Sequence, residues 1–172
     1  MFDRVLGLPA HPLLVHAAVV LVPLLALGGI VYAVAPFTRR HLRWVVGLLA
    51  LAGAGAITAA KLSGDQFKKN RNFSSAEMQA TITKHMDFGN TTLYITLGLA
   101  VVVLALVILV RPAPAGGTKR RGPDDTLVAP RAGSPLLLQV ILGVLTIGLA
   151  GTTLYYIFRT GDSGAHMVWD SY

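Results

Sequence analysis

The chain has 172 residues, 53% of them hydrophobic and only 13% charged, with a formal charge of +7 and no cysteine. That balance excludes an ordinary soluble domain, and the missing thiols exclude disulfides, iron–sulfur clusters and thiolate metal sites. In a membrane protein an excess of Lys and Arg gathers at helix ends and loops, where it orients the chain and meets anionic lipid, so the charge does not predict nucleic-acid binding.

Four uncharged apolar runs follow one another: Leu13–Ala35, Trp44–Ala60, Leu93–Val110 and Leu136–Phe158. Each is close to the roughly 20 residues that cross a hydrocarbon core as a helix, and none alternates with the period of a barrel strand. In lipid every backbone amide must be satisfied within the protein, so such runs are helical. The reading is an all-α integral membrane four-helix bundle, one domain over residues 1–172. The first run is retained as a membrane helix although Ala33-Val34-Ala35 imitates a signal-peptidase site, because Asp3 cancels Arg4 and the apolar stretch is too long for a leader. Pro23 is expected to kink this helix, which membrane helices tolerate.

Pro36–Arg43 is a tight basic turn that makes the first two helices an antiparallel hairpin. The second helix is unusually small-sided: Ala52, Ala56 and Ala60 form one small-xxx-small row, and Gly55 and Ala59 another. Such rows allow close helix approach in lipid or form a smooth wall for a flat ring; Gly143, Gly148 and Gly151 in the fourth helix carry the same two readings. In the loop 61–90, Ser74-Ser75-Ala76-Glu77 matches a capping box. It predicts a short amphipathic helix from about Ser75, at the interface or over the mouth of the bundle, that runs into the third membrane helix with Gly89 at the junction. Residues 111–135 are rich in Pro, Gly and charge and read as a flexible linker. No internal repeat is visible.

Four crossings return the beginning, the 61–90 loop and the tail to one face. His11, His16, His85 and His166 share that face, and His41 lies opposite. Of the 15 Lys and Arg, eight fall on the hairpin side and seven on the histidine side. The arginines packed into the short turn place both termini outside.

His11 and His16 are five residues apart, about 140° around a helix, so they cannot both ligate one centre without help from another helix. His16 lies within the first turns of the span, where an ionisable side chain is costly and normally has a function. Two chemistries suit the set. A b-type haem takes two imidazoles from different helices: His16 and His85 as axial ligands, His11 as support or alternate, with Lys61, Lys84 or Arg4 for the propionates. Copper or zinc would need a compact group of three or four donors, drawn from His85-Met86, His166-Met167 and Asp65, Asp87 or Asp162. No phosphate loop, nucleophile triad or carboxylate pair occurs within a span, so hydrolase and transferase chemistry is not expected.

His11-Pro12-Leu13-Leu14-Val15-His16, His85-Met86-Asp87-Phe88-Gly89 and the closing Ser163-Gly164-Ala165…Val168-Trp169 resemble the bacterial domain-of-unknown-function 2231 family of four-helix membrane proteins, over essentially the whole chain. The resemblance implies the four-helix fold, a bacterial inner-membrane location, and His11, His16 and His85 as positions of interest. Some relatives are joined to cytochrome-c-like modules, which favours a redox role. In the family's pattern a histidine often precedes Ser-Gly-Ala and a lysine follows it. Here Asp162 and His166 stand instead, which weakens the case for His166. The expectation is thus an electron-transfer protein holding haem b and exchanging electrons with quinol or an outside partner. The alternatives are a copper or zinc binder, or a cofactor-free scaffold or accessory subunit that docks another membrane protein or a second copy.

Overall fold

The computed structural model describes residues 4–5, 8–69, 75–110 and 135–169; the linker expected over 111–135 lies outside them but for Pro135. Four long helices carry the fold: α1 Ala10–Val34, α2 Arg39–Lys69, α3 Ala76–Leu109 and α4 Leu136–Trp169. Arg4–Val5 and Leu8–Pro9 form a two-residue antiparallel bridge ahead of α1. Each helix is long and apolar enough to cross a membrane. Each packs against its sequence neighbours and α4 closes back onto α1, so α1 and α3 stand diagonally across a four-cornered bundle.

The helices outrun the apolar segments that predict them, and they do so chiefly at one end. α2 continues to Lys69, α4 continues to Trp169, and α3 starts at Ala76, well before its apolar run. A helix satisfies its own backbone in lipid and in water alike, so leaving the bilayer is no reason to stop. Ser75 caps α3, its hydroxyl accepting the Met78 amide at 3.2 Å, one residue later than the capping box places the cap. From there α3 runs unbroken through Gly89. The helix expected from about Ser75, running into the third span through Gly89, is thus the first part of α3. One glycine costs a helix about 1 kcal/mol relative to alanine and does not interrupt its ladder. α1 likewise continues through Pro23.

Buried side chains follow a three-four spacing, which keeps one stripe of each helix inward. Ala18, Val22, Leu25, Gly29 and Tyr32 form the stripe on α1, and Ile82, Thr92, Thr96, Leu99, Val103 and Leu106 that on α3. Four threonines are wholly buried, whereas Leu48, Val101 and Val144 are 63%, 67% and 64% exposed. Large apolar groups outside and hydroxyls inside is the arrangement a bilayer selects, since lipid offers the outer face what water would refuse.

Close packing is concentrated at a few small residues. A Cβ on Gly29 would lie 3.1 Å from Val103 Cγ2 and 3.2 Å from Thr146 Cγ2, both on fully buried side chains; at Gly148 it would meet nothing within 4 Å. Gly29→Ala is expected to destabilise the bundle by about 1–3 kcal/mol through overpacking, and Gly148→Ala to be neutral or slightly stabilising. Unfolding of the two variants in detergent, compared with wild type, measures this; equal midpoints would contradict it.

The hairpin end is closed by an arginine. α1 stops at the Pro36–Thr38 3-10 turn, leaving its last carbonyls without helical amides. Arg39, 5% exposed, takes them: Nε donates to the Tyr32 carbonyl at 3.0 Å and Nη2 to the Ala33 carbonyl at 3.0 Å. Nη1 reaches across to Gln139 Oε1 on α4 at 2.9 Å.

Candidate histidine site

The other end of the bundle gathers His11 and His85. His11, in the first turn of α1, extends the inward row of Ala18, Val22 and Leu25; His85 falls in the corresponding row of α3. Both are half-buried. The His11 ring donates from Nδ1 to the Ala60 carbonyl at 3.0 Å and lies 3.1 Å from Ser63 Oγ, both on α2. The His85 ring contacts Ser163 Oγ on α4 through Nδ1 at 2.9 Å. Although the two rings rise from diagonal helices, they are close enough for a charge on one to act on the other.

These contacts favour the proton on Nδ1 of each ring. A carbonyl only accepts, so Nδ1 of His11 must be protonated. Ser163 Oγ also lies 2.9 Å from the Thr160 carbonyl, and with its hydrogen given there its oxygen accepts from His85 Nδ1. Ser63 does the same toward Ala60 at 2.8 Å. In the neutral form each imidazole therefore presents an Nε2 lone pair, and among the described residues neither Nε2 takes a hydrogen bond. A protonated Nδ1 held by a carbonyl or hydroxyl, with Nε2 left basic, is how histidine ligands are oriented toward metals.

The two halves are built alike. Ser63-Gly64 of α2 lies against His11, and Ser163-Gly164 of α4 lies against His85. Each glycine leaves room for the ring: an added Cβ would lie 2.9 Å from His11 Cε1 at Gly64 and 3.2 Å from His85 Cε1 at Gly164. The arrangement thus recurs, with a histidine on one helix facing Ser-Gly on the next. The reading of the sequence alone misses it. The two Ser-Gly dipeptides, the only ones present, are the signal that could have found it. Thr92 and Thr160 share a hydroxyl hydrogen bond of 2.8 Å beneath the His85 half.

The remaining candidates are placed elsewhere. His16 is exposed and its Nδ1 turns back to the Pro12 carbonyl of its own helix at 2.6 Å, so it does not join His85. His166 is exposed, with Nε2 3.6 Å from Asp162 Oδ1. Lys84 is exposed. Lys61 is engaged by Asp65 in an i,i+4 ion pair, and the Asp65 charge also acts on His11. The Arg4 side chain lies outside the described residues, and His41 is exposed at the opposite end. Among the described residues no three of His, Asp and Glu converge as metal ligands. Of the carboxylates considered for copper or zinc, Asp65 and Asp162 face partners on their own helices.

The small face of α2 divides. Gly53 packs on α1, where an added Cβ would lie 3.3 Å from Leu25 Cδ2. Ala54, Gly55, Thr58, Ala59 and Leu62 instead line, with Leu97 of α3, an apolar groove of about 420 Å³.

A family model described as a predicted membrane protein (DUF2231) matches residues 7–172. No curated protein and no solved structure gives a significant match.

Proposed function

The chain belongs to the DUF2231 family of predicted membrane proteins, and from that premise we propose that it binds a b-type haem between His11 and His85 and serves in electron transfer. The observation that carries this reading is a pair of imidazoles on different helices, each with Nδ1 against a carbonyl or hydroxyl oxygen and Nε2 without a hydrogen bond among the described residues. The donor set fits such a group. Two neutral nitrogens suffice as axial ligands, so the lack of a three-ligand cluster among the described residues does not count against it. Gly64 and Gly164 let the rings lie against the backbone, and the diagonal placement of α1 and α3 brings donors from opposite corners. Haem, when bound, supplies one-electron redox chemistry.

The residues of the chain do the rest. Ser63 and Ser163 hold the rings and set their tautomer. The apolar layer of Ala18, Val22, Ile57 and Ile157 beneath them keeps water from the span. The reading places the histidine end outside the bacterial inner membrane, supported by Arg40 and Arg43 in the short turn, and gives quinol or an outside redox protein as the electron partner.

Protein made in cells supplied with haem, and purified in mild detergent, tests the proposal. A sharp reduced-minus-oxidised visible band and a haem-to-protein ratio near unity are expected. Folded but colourless protein would sink it and leave an accessory or scaffold role.

A further inference from the structure

We propose that Arg159 holds a carboxylate at the histidine end, namely a propionate of the haem that His11 and His85 ligate; this rests on the reading above. Arg159 is half-buried on α4. Its guanidinium carbon sits 5.2 Å from the centroid of the Phe88 ring, while its Nε is buried and takes no hydrogen bond. A ring face attracts the cation but does not receive the in-plane hydrogen of Nε, so one arm of a planar fork shaped for a carboxylate is left open.

Its position is not arbitrary. Arg159 is four residues before Ser163, so the two lie on one face of α4, and Phe88 is three residues after His85 on α3. The pairs Ser163–His85 and Arg159–Phe88 thus form two successive rungs between α3 and α4. The cation lies one turn below the imidazole, where the apolar run Leu136–Phe158 ends. An ionised side chain so near the hydrocarbon calls for a partner. Among the described residues no carboxylate comes within ion-pair distance of it: Asp162 faces His166, Asp65 holds Lys61, and Asp87 is exposed. Of the cations first considered for propionates, Lys61 is already paired and Lys84 points to solvent.

The test titrates the detergent-purified full chain, freed of haem, with haemin and with haemin dimethyl ester, whose carboxylates are blocked. Wild type is expected to bind the diacid about tenfold or more tightly than the diester. Arg159→Gln should remove that preference by weakening the diacid alone, its unchanged diester binding showing that the variant is folded. Arg159→Lys should keep part of the preference. Equal affinities for the two compounds in wild type would overturn the inference without needing a variant, as would an Arg159→Gln that keeps the full preference. The outcomes separate the two proposals. Histidine-dependent binding without diacid preference removes Arg159 alone, whereas no histidine-dependent binding of either compound removes the haem reading and this inference together.

Discussion

Alanine at either His11 or His85 is expected to abolish the haem spectrum, whereas alanine at His16 leaves it intact. In the proposed site each inward imidazole would supply one of the two nitrogens that hold the haem, and among the described residues no third histidine stands beside them to replace it. His16 points outward and bonds only to Pro12 of its own helix, so its removal should change stability by no more than about 0.5 kcal/mol. Loss of His11 also leaves the Ala60 carbonyl with one donor fewer, and a misfolded variant would lose the spectrum for that reason alone. Adding imidazole to His11→Gly and His85→Gly protein separates the causes, since a small ligand can restore an axial bond in a folded bundle but not refold one. Retention of the band in His11→Ala, or its loss in His16→Ala, would contradict the assignment.

Arg39→Ala is expected to lower the unfolding free energy by about 3–5 kcal/mol, the range for breaking a buried charged contact. The guanidinium satisfies two carbonyls at the end of α1 and ties Gln139 of α4 to them. Without it those acceptors face a buried corner with no donor, and the link between the first hairpin and the last helix goes with it. Lysine restores the charge but not three donors spread in a plane, so Arg39→Lys should recover only part of the loss. Arg40→Ala, at an exposed neighbour, is the control and should melt close to wild type. Chemical unfolding in a fixed detergent gives the comparison; coincident curves for Arg39→Ala and Arg40→Ala would show that the clamp contributes nothing.

Arg39 also illustrates what a sequence conceals. In the primary structure it is one of three arginines in a basic turn, and reads as an orientation signal. In the fold it is a helix cap, so the charge available to orient the turn comes from Arg40 and Arg43. Which arginine enters the bundle depends on where the α1 carbonyls end and where α4 returns, and neither is local information.

The histidines follow the same logic. Crossing parity assigned His11, His16, His85 and His166 to one end, because that needs only the number of membrane passages. Depth along the chain favoured His16 over His11, but depth is not rotation. The three-four row through Ala18, Val22, Leu25 and Gly29 contains His11 and not His16, and that row turns inward because its small members let α1 approach its neighbours closely. His16 belongs instead with Val20, Leu24 and Leu27, which face outward. The row was present in the sequence, but an apolar helix that is hydrophobic all round hides its inward stripe from any reading based on hydrophobicity.

The sequence by itself determined four membrane helices, their antiparallel order and the shared end of the histidines, because hydrocarbon thickness and backbone hydrogen bonding leave helices of that length no alternative. Only the tertiary structure decided that α2 and α4 run on beyond their apolar runs, that His11 rather than His16 turns inward at the end that carries His85, and that two Ser-Gly steps lie against the rings. Those outcomes depend on how each helix is rotated against its neighbours, and in a bilayer that rotation is set by shape complementarity between small residues and by hydrogen bonds between helices, which join residues 52 and 78 positions apart in the chain.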